Sequence, residues 1–151
     1  MRGNIRPPVD VVRAMSDRFA DQDVIGRLLH GAQTWAFVGL SGNPDRTAYD
    51  QAVQLRKRGV RVIPVHPAAE AVLGEPGYAS LAAVPDPIDV VGVYRRTEHA
   101  GAVVDEAIAV GAKAVWLPLD VIDEAAAQRA AAAGLDVVMN RCPAVEWALR
   151  R

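Results

Sequence analysis

The chain has too little cysteine and too few aromatic rings for several common classes of function. It contains a single cysteine, Cys142, in 151 residues, which rules out an internal disulfide framework and a cysteine-rich zinc site. Aromatic residues make up 5% of the chain and offer few rings for stacking nucleic-acid bases. The 17 basic and 18 acidic residues leave a net charge of −1, so no general field attracts nucleic acid. We therefore expect no nucleic-acid partner, and any polyanion must be bound by a local cluster of cations.

Long apolar segments are missing as well. No run of residues could span a bilayer, and the N-terminus lacks the apolar core of a secretory signal. We therefore expect a cytoplasmic protein with no membrane partner. Hydrophobic residues make up 51% of the chain and charged residues 23%, a balance typical of a folded domain with a proper core.

The sequence also lacks a complete catalytic motif. It contains no G-x-S-x-G elbow, no Walker A lysine and no H-E-x-x-H pair. The three histidines, His30, His66 and His99, do not have metal-ligand spacing. No base lies near Cys142 in sequence, so we interpret it as a small buried side chain. The sequence therefore predicts neither catalytic residues nor a metal site.

What the chain does have is a regular alternation of apolar runs and helical segments. The runs are continuous, as expected for parallel strands covered on both faces, and cover residues 35–40, 60–65, 88–94, 113–119 and 135–139. Helical spacing is found over residues 46–58, 97–110, 123–133 and 143–151. Three of these helices end at a glycine, Gly59, Gly111 or Gly134, and Thr47 with Asp50 resembles a capping box. The pattern predicts an α/β fold, a Rossmann-like doubly wound parallel sheet of about five strands. With the strand order 3-2-1-4-5, the switch point would lie beside the first strand.

Before the first strand, apolar residues at helical offsets extend over residues 10–30. We interpret residues 1–33 as an N-terminal helical extension that packs on the domain. Residues 34–151 then form the Rossmann-like domain itself.

The turn over residues 39–46 is the most informative stretch of the sequence. It joins the first apolar run to the start of a helix, so free backbone N–H groups and the positive end of the helix dipole point at one place. Ser41 and Asn43 could donate to phosphate oxygens there, and Arg46 could pair with one. The turn reads G-x-x-G rather than the full dinucleotide pattern, so Gly39 and Gly42 have a simpler interpretation as a tight connection.

The ends of the second and third runs supply further polar residues. His66 and Pro67 follow the second run, where a typical NAD site has an acid, and this counts against NAD. Arg95 and Arg96 follow the third run at the predicted carboxyl edge of the sheet. Adjacent residues of a strand face different ways, so we expect at most one of these arginines to reach a ligand.

Several separate motifs in this order resemble the CoA-binding domain family. More narrowly, the chain resembles small stand-alone bacterial proteins related to the N-terminal domain of succinyl-CoA synthetase alpha subunits and of ADP-forming acyl-CoA synthetases. The matching segments are residues 38–46, 59–67, 73–74, 80–81, 89–96, 111–116 and 140–143 with Glu146.

The resemblance implies a Rossmann-like fold that binds coenzyme A, with the diphosphate at the first turn. It places three groups of residues around the ligand. Near the phosphates are Gly39, Leu40, Ser41, Gly42, Asn43 and Arg46; bordering the adenosine are Val65, His66 and Pro67; along the pantetheine or phosphate path are Tyr94, Arg95 and Arg96.

The sequence therefore predicts non-catalytic binding of coenzyme A or acyl-CoA. Two alternatives remain open: an NAD(P)-binding oxidoreductase or redox-sensing regulator, and a degenerate protein-interaction module with a vestigial pocket. The second is supported by Pro118 and Asp120, which replace the glutamine and glycine common in relatives. Assembly as a homo-oligomer or with a partner enzyme chain also stays open, because acyl-CoA synthetases carry further domains that this chain does not contain.

Overall fold

The computed structural model describes residues 18–150, which form one parallel sheet with helices on both faces. The predicted helical segment over residues 10–17 lies outside the described residues. Among residues 18–150, no helix has the length and apolar content needed to cross a lipid bilayer. In chain order the elements are α1 Gln22–Gly31, β1 Thr34–Val38, α2 Thr47–Lys57, β2 Arg61–Val65, a 3-10 turn Leu81–Ala83, β3 Val90–Val93, α3 Thr97–Ala109, β4 Ala114–Leu117, α4 Glu124–Ala132, β5 Asp136–Met139 and α5 Pro143–Ala148.

The sheet confirms the predicted α/β fold, but its strand order is β2-β1-β3-β4-β5, and the hypothesis of 3-2-1-4-5 is wrong. All neighbouring strands are parallel, and β3 pairs with the free side of β1, with Trp35 opposite Val90 and Val38 opposite Val93. One physical reason lies in β2, where Pro64 has no N–H for a second neighbour, so the strand suits an edge. The direction of winding therefore reverses between β1 and β3.

Two apolar clusters fill the space between the sheet and its helices. On one face α3 and α4 cover Ala36, Val91 and Val115. On the other face α1 and α2 cover the fully buried rings of Trp35 and Trp116. Apart from the partly buried first residues of β1, β2 and β5, both faces of the strands are covered, which explains why the strands read as continuous apolar runs.

The helix ends agree with the sequence at some positions and differ at one. Asp123 caps α4 as predicted, since its side chain accepts a hydrogen bond of 3.0 Å from the N–H of Ala126. The capping box predicted from Thr47 is wrong, because Thr47 is the first helical residue of α2 and the N-cap is Arg46, whose side chain makes no capping bond. The glycines that follow α2, α3 and α4 are all in the left-handed region, as their positions predict.

The amino edge of the sheet is held by Asp89, which comes directly before β3. Its carboxylate accepts hydrogen bonds from the N–H groups of Gln33 (2.9 Å) and Thr34 (3.0 Å), at the start of β1. The ammonium of Lys113, just before β4, lies 3.4 Å from the other carboxylate oxygen. One side chain therefore joins the starts of three strands.

Candidate functional site

A cavity of about 690 Å³ opens at the carboxyl edge of the sheet, at the end where β1 and β3 diverge. Ligands of open α/β sheets gather at such a switch point because the loops after the two strands separate there. Residues that follow all five strands line the cavity: Gly39, Ser41, Arg46, Thr47, Ala48, Gln51, His66, Pro67, Tyr94, Arg95, Arg96, Pro118, Leu119, Val121, Cys142 and Pro143.

The turn after β1 packs directly on the end of β3. Gly39 has φ +104°, and a Cβ at this position would lie 2.1 Å from the carbonyl oxygen of Tyr94. Its N–H donates to the carbonyl of Val65 at 2.8 Å, which ties the turn to the end of β2 as well. Only glycine satisfies both the backbone angle and the close approach.

The start of α2 offers backbone donors to the cavity. The first N–H groups of a helix have no intrahelical acceptor, and the N-cap residue Arg46 makes no side-chain bond to them. Thr47 and Ala48 line the cavity at this point, and Ser41 lines it from the turn. Asn43 instead accepts a bond of 3.0 Å from the N–H of Asp45, which stabilises the turn itself. The helix dipole adds to the attraction for an anion.

One backbone donor of the turn is already bonded to a carboxylate. The N–H of Gly42 donates to Oε1 of Glu70 at 2.7 Å, across 28 positions of sequence. Glu70 belongs to the loop after β2, so the loop and the turn meet outside the sheet edge.

The loop after β2 separates the main cavity from a smaller one of about 220 Å³. His66, Pro67 and Arg95 line both cavities, and Val65 lines only the smaller one. The Nδ1 atom of His66 accepts a hydrogen bond of 3.1 Å from the N–H of Ala68. A neutral ring in this arrangement carries its proton on Nε2 and can donate from that atom.

The charge of the main cavity is strongly positive, although the whole chain is nearly neutral. Three of its lining residues are arginines, Arg46, Arg95 and Arg96, and none is acidic. Among residues 18–150, none of these three arginines forms an ion pair with a carboxylate. They form the local cluster of cations that a polyanion requires in a chain of this net charge.

Tyr94 and Cys142 lie together at the wall of the cavity formed by the loops after β3 and β5. The Tyr94 ring packs on Phe37 with ring centres 4.5 Å apart, and its hydroxyl is buried with no hydrogen-bond partner among the described residues. Burial, and secondarily the nearby Cys142 thiol, raise the pKa of Tyr94 well above its ordinary value. The hydroxyl therefore stays protonated and can act as a donor.

The predicted site residues are distributed unevenly around this edge. Eight of the twelve line the main cavity: Gly39, Ser41, Arg46, His66, Pro67, Tyr94, Arg95 and Arg96. All three predicted arginines are among them. Gly42 and Asn43 are exposed on the turn outside the lining, and Val65 lines the smaller cavity. Leu40 is buried in the apolar cluster that contains Trp35, so its side chain faces away from the cavity.

Sequence reasoning missed part of the lining. Cys142 is half-buried at the cavity wall, so its interpretation as a small buried side chain is wrong. Gln51 was also missed, although it follows Thr47 by one helical turn and therefore shares its face. Its buried side chain accepts a bond of 3.0 Å from the N–H of Ala144 at the start of α5. The other lining residues that were not predicted are Thr47 and Ala48, at the start of α2, and Pro118, Leu119, Val121 and Pro143, which follow β4 and β5. Among residues 18–150, no three histidine, cysteine or acidic side chains gather to hold a metal ion.

Comparison with known proteins agrees with this geometry. The chain matches the CoA binding domain family over residues 33–148, which include every strand and the whole lining of the cavity. It is also 32% identical over 127 residues to a Bacillus subtilis (strain 168) protein described as "Uncharacterized protein YneT". That alignment covers 84% of this chain and 94% of the Bacillus protein. The chain therefore belongs to the CoA-binding domain family.

Solved structures share the fold. A hypothetical protein from Pyrococcus horikoshii OT3 superposes with a TM-score of 0.81 at 31% identity, covering 97% of this chain and 98% of that chain. A dinucleotide-forming acetyl-coenzyme A synthetase of Ca. Korarchaeum cryptofilum, solved with phosphate and ADP, superposes with a TM-score of 0.65 at 22% identity. This match covers 74% of the present chain but only 26% of the synthetase, so it shows a common fold for one part of a larger protein.

Proposed function

We propose that this protein binds coenzyme A or acyl-CoA in the main cavity without catalysing a reaction by itself. The observation that carries the proposal is the cluster of three arginines beside the helix start after β1, in a cavity whose lining contains no acidic residue, in a chain of the CoA-binding domain family. Coenzyme A carries a diphosphate and a further phosphate on its ribose, so it needs several cations along one groove. The main cavity offers these cations together with free backbone donors.

The two cavities suggest an orientation for the ligand. We propose that the diphosphate lies at the turn of Ser41 and at Arg46, where α2 begins. The adenosine extends toward His66 and Pro67 and the smaller cavity beyond them. The pantetheine then lies toward the opposite end, between Tyr94 and the residues that follow β4 and β5. That end is mostly apolar, with Pro118, Leu119, Val121 and Pro143, which suits an uncharged chain.

The end of β2 favours coenzyme A over NAD. An NAD site uses a carboxylate there to accept hydrogen bonds from the ribose hydroxyls. The residue at this position is His66, whose Nε2 can donate but whose ring provides no carboxylate. A donor at this place suits a ribose phosphate.

Calorimetric titration of the full chain tests the proposal. We expect binding of coenzyme A and acetyl-CoA, weaker binding of dephospho-CoA because one phosphate is missing, and little binding of NAD or NADP. Tight binding of NAD without binding of coenzyme A would contradict the proposal. If none of these ligands binds, the result would favour a vestigial pocket.

A variant of Arg46 tests the phosphate site itself. Arg46→Ala should weaken coenzyme A binding by about 1–3 kcal/mol, the usual size of a charge-assisted hydrogen bond. The control is Arg56→Ala, which removes the same charge from an exposed position in the last turn of the same helix. Equal dissociation constants for the Arg46 variant and the unmodified protein would remove Arg46 from the site.

A further inference from the structure

The loop between β2 and the 3-10 turn places a carboxylate against the turn over residues 39–46, the predicted site of the diphosphate (the diphosphate turn). Glu70 Oε1 lies 2.7 Å from the backbone nitrogen of Gly42, a distance typical of a charge-assisted hydrogen bond. Gly42 belongs to the turn that joins β1 to α2, which is built to attract an anion. The group found there belongs to the protein itself.

The backbone on both sides of Glu70 is well fixed. A Cβ on Gly77 would lie 2.1 Å from the carbonyl oxygen of Glu70, so the two backbone segments are in direct contact. Tyr78 then binds the end of β2 through bonds of 2.9 Å to His66 and 3.0 Å to Pro64. Ala69 is in the left-handed region at φ 51°, with its N–H bonded to the carbonyl of His66 at 2.7 Å. The loop therefore presents the glutamate side chain toward the turn.

The side chain of Glu70, by contrast, is exposed, and its carboxylate forms no ion pair with a cation among residues 18–150. It can leave Gly42 by rotation about its own bonds, without any change of the backbone. A phosphate oxygen that uses the N–H of Gly42 must displace this carboxylate. After it has left Gly42, the carboxylate of Glu70 is still nearby, and its negative charge repels the incoming anion.

We propose that Glu70 is an intramolecular competitor for the diphosphate turn and so sets the affinity of the site for its anionic ligand. The proposal rests on the function proposed above. In the ligand-free protein the carboxylate bonds to the N–H of Gly42 and keeps the turn formed. In the bound protein it rotates away, and the diphosphate replaces it. Removing the carboxylate therefore strengthens binding, which is the opposite of what the loss of a ligand contact would do.

Two variants of the full chain test this inference. Glu70→Gln keeps the size of the side chain and removes the charge, and Glu70→Ala removes the acceptor as well. Because the contact is exposed to solvent, we expect a modest effect, with the dissociation constant for coenzyme A falling by about 3- to 10-fold. Glu98→Gln is the matched control, since Glu98 is an exposed carboxylate in the first turn of α3 and has no recorded bond to the turn. The Glu98→Gln variant should bind coenzyme A with the same dissociation constant as the unmodified protein.

A second measurement follows the contact without coenzyme A. In ¹⁵N-labelled protein, the amide resonance of Gly42 should move in both Glu70 variants and stay in place in Glu98→Gln. Inorganic pyrophosphate, titrated into each protein, should perturb this resonance at lower concentration in the Glu70 variants. An unchanged Gly42 resonance in Glu70→Ala would show that the contact is absent and overturn the inference. So would unchanged or weaker pyrophosphate binding in that variant.

These outcomes separate the two proposals. If no variant binds coenzyme A but pyrophosphate binds the Glu70 variants more tightly, the competitor stands and the assignment of coenzyme A fails. If the unmodified protein binds coenzyme A and the Glu70 variants bind it no better, the assignment stands and the competitor fails.

Discussion

At the scale of single residues, Gly39 is a position where the chain depends on the absence of a side chain. It brings the turn after β1 against the carbonyl of Tyr94, and it holds a backbone angle that other residues rarely adopt. The same contact places the turn and the arginines after β3 on one cavity. The stability of the fold and the geometry of the site therefore both depend on the missing Cβ atom of Gly39.

Gly39→Ala should lower the free energy of unfolding by about 2–4 kcal/mol, because the new methyl group meets backbone atoms and the φ angle becomes strained. Urea denaturation measures this change. The control is Gly31→Ala at the last residue of α1, where a Cβ meets nothing within 4 Å. That variant should lie within about 1 kcal/mol of the original protein. Equal stabilities for the two variants would contradict the close packing.

The residues of the site differ in how far the sequence revealed them. The three arginines and Gly39 could be predicted to lie at the cavity, because their position after an apolar run fixes where they lie in a parallel sheet. Glu70 could not be predicted, since its contact with Gly42 joins two loops and depends on how the segment after β2 folds back along the sheet edge. Cys142 was misjudged for a similar reason, as the wall it lines exists only when β3 and β5 are in place.

At the scale of elements, the C-terminal helix is linked to the first helix by a buried charge network. Glu146 of α5 is 5% exposed and accepts a bond of 2.8 Å from Arg150, with the Nε atom of Arg141 at 3.7 Å. Arg150 also donates to Gln22 at the start of α1. The network therefore holds the two ends of the described chain against the same face of the sheet.

Glu146→Ala should lower the free energy of unfolding by about 2–3 kcal/mol, because it removes the buried carboxylate that pairs with the poorly hydrated guanidinium of Arg150. Asp105→Ala is the matched control, since it breaks an ion pair with Arg129 whose side chains are 48% and 56% exposed. Exposed pairs contribute little, so this variant should lose about 0–1 kcal/mol. Thermal or urea unfolding of the two variants compares them, and similar losses would show that burial does not strengthen the Glu146 network.

The sequence predicts strands and helices well where the local pattern determines them, and less well where packing against neighbouring elements determines them. The apolar runs gave all five strands because both faces of the sheet are covered. The order of those strands depends on tertiary packing. The sequence hints at it through Pro64, which has no N–H to donate to a second neighbouring strand and so suits an edge position for β2. The cap of α2 was misread because Thr47 and Asp50 have the spacing of a capping box, while the N-cap lies one residue earlier, at Arg46.

At the scale of the whole molecule, the two edges of the sheet differ. The cavity lies at the carboxyl edge, and at the amino edge Asp89 joins the starts of three strands. The hydrogen bonds from Thr34 and Gln33 and the charge of Lys113 outweigh the effect of burial and hold the pKa of the Asp89 carboxyl below its ordinary value. Folding therefore favours the ionised carboxylate.

This shift predicts a pH dependence of stability. The contribution of Asp89 is fully present above the ordinary carboxyl pKa of about 4 and is lost as pH falls through the lower pKa of the folded state. Asp89→Asn should lower the free energy of unfolding by about 1–2 kcal/mol at pH 7, and the difference should shrink as pH falls from about 5 to 2. Urea unfolding at a series of pH values tests this, with Asp105→Asn as an exposed control. A difference that stays constant across the series would show that ionisation of Asp89 is not involved.

The cavity draws its walls from residues that follow all five strands, the last of them Cys142 and Pro143. During synthesis, a ribosome-bound nascent chain that ends before those two positions has the arginines and the glycine turn but lacks one side of the groove. A small molecule that needs the full set of walls can therefore stabilise only chains in which Cys142 and Pro143 have already folded into place. It would not guide the folding of shorter nascent chains, and its protective effect would begin only once these two residues have left the ribosome.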